Sequence, residues 1–315
     1  MKKIVIFLVF ILSFVLLGCS KNPIDDQVDD IVDVPIIYNY LNEVFPINES
    51  KRFEPSGYLA NENWHWHGTP VFSPDGKEMY WSKYIKASND IEIWFTKENN
   101  DIWGEPEKLI IDGINGAYNC PVFVDGGRQL YFLNFDGIAF TIYKLTRDGD
   151  AWINPVAIQL NIPNGKMLGW SFSVSENKNI YFLLWDLNGL EHQKIYRSIY
   201  HNGEYGESQP LDILDIGSDG VGGPSIASDE SYIIFDSVRP NGYGMHDIYI
   251  SFKNDSDEFM APINLGDQVN TTGEDAGVAI SPDGLYMFYT TLKVNDLGYN
   301  PYWIKIDELN AFITE

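Results

Sequence analysis

The chain has 315 residues, of which 9 are Trp, 19 Tyr and 18 Phe, and 44% are hydrophobic. This composition supplies enough apolar surface for a buried core and excludes an intrinsically disordered chain. Asp and Glu number 45 against 21 Lys and Arg, which gives a formal net charge of −24. So acidic a surface repels phosphate backbones, and we therefore expect no nucleic-acid partner.

Residues 1–18 have the layout of a bacterial export signal. Lys2 and Lys3 precede an apolar run over residues 4–17, which is shorter than a typical membrane-spanning helix. The run ends in Leu16-Leu17-Gly18-Cys19, which resembles the lipobox of bacterial lipoproteins. This resemblance implies cleavage before Cys19 and acylation of its side chain, so that the lipid anchors the protein to a membrane. The alternative is a plain signal peptide followed by a coincidental cysteine.

Residues 19–49 are predicted to form an acidic tether. Five aspartates lie within nine residues, and mutual repulsion of their charges extends such a linker. The acidic residues after Cys19 also resemble the surface-export signals of lipoproteins from Bacteroidetes. Together these features predict a lipid-anchored protein of the bacterial cell envelope, at the outer membrane. The periplasmic side and the surface side are the two alternatives for its location there.

Residues 50–315 contain an internal repeat. Five twelve-residue segments share an alternating first half, a turn, and a second half rich in β-forming residues. In the first segment, Ser73-Pro74-Asp75-Gly76 fits a type I turn. A third strand and a proline-containing fourth strand follow in most units, and proline favours the sheet edge. The segments begin at Pro70, Pro121, Ser171, Pro224 and Val278, at spacings of 51, 50, 53 and 54 residues.

A period near 50 residues without a helical pattern predicts an all-β fold, a β-propeller with four strands in each blade. The fifth unit lacks its fourth strand, because the chain ends soon after Lys305. A segment that matches the fourth-strand pattern lies near the other end, at residues 53–59. We therefore predict five blades, with this N-terminal strand completing the last blade. Six blades are the alternative.

The repeat also resembles a known family. The Ser-Pro-Asp-Gly turn before an aromatic strand, together with Asp247-Ile248-Tyr249, resembles the WD-like propeller repeats of the TolB family. The connectors at residues 242–247 and 270–275 are similar to those of such repeats in envelope proteins of Bacteroidetes. The resemblance implies a propeller over residues 50–306 that serves as an interaction scaffold. It is specific for fold and not for function.

The residues just before each segment are the candidate binding site. The innermost strand of a propeller blade lines the central channel, so these positions should surround one end of it. They combine aromatic faces with polar groups, which suits a sugar or a peptide. The alternative is that they only pack the mouth of the channel. The predicted ligand-binding residues are His65, Trp66, His67, Asn119, Trp170, Glu274 and Asp275.

No motif in the chain indicates a reaction. His65 and His67 form a His-x-His pair, but two ligands do not make a metal site. A Gly-x-Ser-x-Gly nucleophile motif is missing from the sequence. We therefore predict no metal, no cofactor and no catalytic residue, and favour a lipid-anchored module that binds an envelope protein, peptide or glycan. The alternative is a glycoside hydrolase or lyase, which needs two facing carboxylates in the mouth of the channel.

Overall fold

The computed structural model describes residues 38–56, 58 and 60–306. Their strands form five antiparallel sheets, arranged as the blades of a β-propeller; four of these sheets have four strands, and in the sheet of blade one the inner and the outer strand are each divided in two. The prediction of five blades is therefore confirmed. The predicted signal peptide, Cys19 and the first part of the predicted tether lie outside the described residues. None of the helices in the described ranges is long and apolar enough to cross a membrane.

The first two blades follow one another along the chain. In blade one, both the inner and the outer strand are divided into two short pieces. A turn of 3₁₀-helix, η1 (Tyr40–Asn42), and strand β1 (Lys51–Arg52) precede this blade. The strands of blade one are β2 (Trp64–Trp66), β3 (Val71–Phe72), β4 (Glu78–Ile85), β5 (Asp90–Asn99), β6 (Ile102–Trp103) and β7 (Glu107–Lys108), and those of blade two are β8 (Ala117–Val124), β9 (Gln129–Phe135), β10 (Phe140–Asp148) and β11 (Ala151–Ala157).

The other three blades repeat this order, with the inner strand first. Blade three is formed by β12 (Lys166–Val174), β13 (Ile180–Asp186), β14 (Lys194–Ser198) and β17 (Gln209–Pro210), with a small hairpin of β15 (Tyr200–His201) and β16 (Glu204–Tyr205) before its outer strand. A second 3₁₀ turn, η2 (Asp212–Leu214), leads to blade four, which is formed by β18 (Gly220–Ile226), β19 (Tyr232–Val238), β20 (Asp247–Phe252) and β21 (Ile263–Asn264). Blade five contains β22 (Glu274–Ile280), β23 (Tyr286–Leu292) and β24 (Asn300–Lys305), and β1 is its outer strand.

The N-terminal strand completes blade five, as the sequence predicts. Lys51 pairs with Trp303 and Arg52 with Tyr302, so β1 closes the ring between the two ends of the propeller. The strand lies just before the predicted segment at residues 53–59. Past Phe53 the chain leaves blade five for blade one, where the Tyr58 hydroxyl donates to the Gly104 carbonyl at 2.9 Å. This crossing prevents the predicted segment from continuing as a strand.

The hydrophobic core consists of five clusters, one at each interface between neighbouring blades. Strand β13 shows how a blade contributes to two of them. Tyr181 and Leu183 pack toward blade four, whereas Phe182 and Leu184 pack toward blade two. Successive side chains of a strand point to opposite faces of the sheet. Because a neighbouring blade covers each face, both sets of side chains are apolar, and the middle strands do not alternate between apolar and polar residues.

The interface between blades five and one is the most aromatic of the five. Tyr40 is only 1% exposed and its ring packs edge-on against Phe72, Phe288 and Trp303. Phe53, also 1% exposed, enters the same cluster. The compact body therefore includes Tyr40, although the predicted tether extends to residue 49.

Candidate functional site

The inner strands are irregular at one level of the channel. In β8, β12, β18 and β22 the pairing register with the second strand shifts, and in blade one the inner strand is broken between β2 and β3. Cys120, Gly223 and Gly277 have positive φ angles of 50°, 40° and 59° at these shifts. A bulge bends a strand and redirects its side chains. Four bulges and one strand break therefore form a non-uniform ring around the channel.

A cavity of about 1300 Å³ lies in the channel and is lined by residues of all five blades. The inner strands begin at one end of it, here called the channel mouth. The connections between second and third strands lie at this same end, because the strands of each blade are antiparallel. The tight turns between first and second strands lie at the opposite end, here called the turn end.

Four of the seven predicted ligand-binding residues line the cavity, namely His67, Asn119, Trp170 and Glu274. Trp170 is the exposed aromatic group among them, at 39% of its surface. Its ring packs edge-on against Trp185 at 4.8 Å between centroids. Its backbone carbonyl accepts a hydrogen bond from the Cys120 thiol at 3.3 Å. Trp170 is therefore an aromatic surface that is held in place and open to the channel.

The other three predicted residues do not line the cavity. Trp66 is 2% exposed and packs in the aromatic cluster between blades five and one. His65 stacks on Tyr84, with 4.8 Å between the ring centroids. Asp275 is fully buried and accepts a hydrogen bond from Thr291 Oγ1 at 2.7 Å. It alternates with Glu274 on β22, so only one of these two carboxylates faces the channel.

Asn119 and His67 present polar atoms without a partner to the cavity. Asn119 is 8% exposed, and its Oδ1 accepts from the Cys120 backbone N–H at 2.8 Å. Its Nδ2 has no hydrogen-bond partner among the described residues, and neither ring nitrogen of His67 has one there. Burial, with a smaller effect of His65, lowers the pKa of His67 to about 4. The imidazole is therefore neutral at neutral pH and can both donate and accept a hydrogen bond.

Glu274 belongs to a group of four side chains on blades four and five, here called the acid–histidine cluster: Asp236, His246, Glu274 and Tyr299. All four line the cavity. His246 Nδ1 lies 2.8 Å from Asp236 Oδ2, and Tyr299 donates from its hydroxyl to Glu274 Oε1 at 2.6 Å. The hydrogen bond to Asp236, against the effect of burial, raises the pKa of His246. Burial and the bond to Glu274 raise the pKa of Tyr299. Each carboxylate thus orients one neighbouring ring.

Asp236 reaches the cavity from the second strand of blade four because two glycines leave room for it. A Cβ atom on Gly222 would lie 2.3 Å from Asp236 Oδ2, and a Cβ on Gly223 would lie 2.3 Å from Oδ1. A side chain at either position would displace the Asp236 carboxylate from its place beside the cavity. Sequence reasoning missed Asp236, although one signal existed. The residue that directly follows each twelve-residue segment is acidic only here, whereas the other units have Ser82, Leu133, Leu183 and Thr290.

Direct contacts connect the blades around the mouth. The hydrogen bond from the Cys120 thiol to the Trp170 carbonyl joins blades two and three. Thr69 Oγ1 donates to the Gly277 carbonyl at 2.8 Å and joins blades one and five. The Gly277 N–H lies 3.5 Å from Asp236 Oδ1, at the limit of a hydrogen bond between blades five and four. Residues that are about 50 positions apart in the sequence therefore share one rim.

The described part of the chain contains no group of three or more His, Cys, Asp or Glu side chains that could hold a metal ion. The acid–histidine cluster offers hydrogen bonds and negative charge.

Comparison with known proteins identifies the fold. No protein-family model matches the chain, and no curated protein sequence matches it. A TolB-like protein of Agrobacterium tumefaciens has 16% sequence identity and a TM-score of 0.51, with 80% of each chain covered. An endo-arabinase of Bacteroides thetaiotaomicron has 14% identity and a TM-score of 0.53, with 81% of this chain and 97% of the other covered. At such identities the likeness shows a shared β-propeller fold.

Proposed function

We propose that the protein is a lipid-anchored binding module of the bacterial envelope that holds a saccharide in the channel mouth. Exposed Trp170 is the observation that carries this proposal. An exposed Trp has no core to fill, and its face stacks on the apolar face of a sugar ring. The site is also a concave cavity of about 1300 Å³. Such a cavity suits a segment of a saccharide chain better than it suits the flat surface of a protein partner.

Polar groups that line the same cavity as Trp170 suit the hydroxyls of a sugar. The Asn119 amide donates, the neutral His67 ring donates or accepts, and the carboxylates of Asp236 and Glu274 accept. The inner strands also present a free sheet edge to the channel. The likeness to a TolB-like protein is compatible with a binding role in the envelope, and the likeness to an endo-arabinase is compatible with a glycan ligand.

Substitution Trp170→Ala should weaken saccharide binding by at least about 1 kcal/mol, a factor of about five, because an aromatic anchor is lost. The melting temperature should stay close to that of the wild type, since the side chain is 39% exposed. A glycan array finds the ligand, and calorimetric titration measures the affinity of the purified variant.

Two matched variants separate binding from packing. Ile102→Ala removes a 72% exposed side chain on an outer strand of blade one, away from the lining of the cavity, and should change neither property. Trp66→Ala should lower stability by about 3–5 kcal/mol because its side chain is buried. If Trp170→Ala binds every array ligand as tightly as the wild type, or if the protein captures only peptides, the saccharide proposal is refuted.

A glycan-active enzyme is the second candidate, and the pair of carboxylates that lines the mouth favours it. Asp236 and Glu274 both face the cavity, as the acid and base of a glycosidase or lyase must. Incubation with a panel of polysaccharides distinguishes the two candidates. A binding module leaves the polymers intact, whereas an enzyme releases oligosaccharides at a rate that collapses in Glu274→Gln.

The lipid anchor makes a separate prediction, at a residue outside the described part of the chain. Replacing Cys19 with Ser removes the thiol that the lipid modifies, so the protein should move from the membrane fraction to the soluble fraction. Cell fractionation with immunoblotting measures this shift, and Cys120→Ser is the matched control that should stay with the membrane. A Cys19→Ser protein that remains membrane-bound would disprove the anchor.

A further inference from the structure

We infer that the saccharide held in the channel mouth carries a protonated amine, and that Glu274 and Asp236 bind this cation. The inference rests on the proposed function and specifies its ligand class. It follows from the charge of the mouth, from a carboxylate oxygen of Glu274 and from an amide donor of Asn119 that both lack a hydrogen-bond partner among the described residues.

The channel mouth is anionic, and so is the turn end, where Asp125, Glu176 and Asp229 outnumber Arg128 among the described lining residues. Among the described residues that line the cavity, Arg128 is the only Lys or Arg, and it lies at the turn end. There it pairs with Asp125, at 2.7 Å between Nη2 and Oδ1. Within the acid–histidine cluster at the mouth, His246 is the one base beside the two carboxylates, so the cluster keeps a net negative charge in either protonation state of that ring. An anionic sugar is therefore repelled and a cationic one attracted.

Glu274 has a free acceptor for the cation. Its Oε1 accepts from the Tyr299 hydroxyl at 2.6 Å, which fixes the carboxylate. Its Oε2 has no hydrogen-bond partner among the described residues, and no Lys or Arg pairs with it there. An ammonium N–H can therefore donate to Oε2 without displacing another contact. Charge-assisted hydrogen bonds of this kind are about twice as strong as neutral ones.

Asn119 points independently to a ligand in the same cavity. Its side chain is more than nine-tenths buried, and its Nδ2 lacks a partner among the described residues. Because Asn119 lines the cavity, this amide donor is open to a ligand that enters the channel. A hydroxyl or ring oxygen of a sugar is an acceptor for it. A ligand with an apolar ring face for Trp170, an oxygen for Asn119 and a cation for Glu274 is an amino sugar.

The test compares two sugars that differ only at the amine. The full-length protein in detergent is titrated at pH 6 with an oligomer of glucosamine, with the N-acetylated oligomer of equal length, and with a lysine-rich peptide. The glucosamine oligomer should bind at least about tenfold more tightly than the other two, and added salt should weaken it because the attraction is ionic.

Substitution Glu274→Gln keeps an oxygen for Tyr299 but removes the charge. It should weaken binding of the glucosamine oligomer about tenfold and leave the N-acetylated oligomer unaffected. Glu107→Gln, at an exposed site on β7, makes the same change of net charge and should have no effect.

Each other outcome overturns a defined claim. Equal affinity for the two oligomers, with dependence on Trp170 retained, refutes the cationic ligand and leaves the saccharide module standing. Tighter binding of the lysine-rich peptide refutes the sugar part of the inference. Failure of the array to find any saccharide, with no dependence on Trp170, refutes the proposed function itself.

Discussion

A chain that lacks residues 1–53 should aggregate or melt far below one that lacks residues 1–37. The longer deletion removes Tyr40 and Phe53, each 1% exposed in the aromatic cluster, and leaves β24 with an unpaired edge. Loss of a buried aromatic side chain costs about 3–5 kcal/mol, and whole domains have only about 5–15 kcal/mol of stability. The shorter deletion keeps Tyr40, β1 and Phe53.

Differential scanning calorimetry and the soluble fraction after expression measure this effect. Tyr40→Ala is a milder variant that keeps β1 in place, and it should lower the melting temperature by about 10 °C. Tyr38→Ala, at a neighbouring and more exposed ring, is its matched control. Equal melting temperatures for the two deletions would show that β1 and the aromatic cluster do not close the ring.

Substitution Glu78→Gln should destabilise the protein by about 2–4 kcal/mol at pH 7, because it breaks an ion pair between blades one and two. Arg147 Nη1 and Nη2 donate to the two carboxylate oxygens of Glu78 at 2.8 and 2.7 Å. Glu78 is 7% exposed, so the remaining guanidinium would face a weaker acceptor in a poorly hydrated site. The melting temperature should fall by about 5–15 °C.

The same pair makes stability depend on pH. Burial by itself raises the pKa of Glu78, but the bonds and charges of Arg147 and Lys97 outweigh burial and hold it below the ordinary value of 4.5. A carboxyl group whose pKa is lower in the folded chain contributes its full stability above pH 4.5 and loses it as the pH falls through the folded value. The difference in melting temperature between wild type and Glu78→Gln should therefore shrink below pH 4.5. A difference that stays constant from pH 7 to pH 3 would contradict this role, and Glu107→Gln should show no difference at either pH.

The candidate site could be predicted only in part. His67, Asn119, Trp170 and Glu274 line the channel because each lies just before an inner-strand segment, and the repeat marks these positions. The same rule selected Trp66, which is buried, because position before a segment does not tell which face of the strand a side chain occupies. Asp236, His246 and Tyr299 lie on a second strand and on two connections, where the rule did not look.

The fold followed from local patterns. Turn residues, β-forming segments and a period near 50 residues are preferences of short stretches of chain, so one sequence suffices to count five blades and to place proline-containing strands at the outer edge. The need to pair the last edge also indicated that an N-terminal strand closes the ring. Tertiary structure alone decided that this strand is Lys51–Arg52, that Tyr40 is part of the core, and that Asp236 passes over two glycines to meet His246. The first two features depend on contacts between residues far apart in the chain, whose free energy is realised only when the ring has closed. The third depends on how β18, β19 and the connection after β19 pack together within blade four, which no single strand pattern specifies.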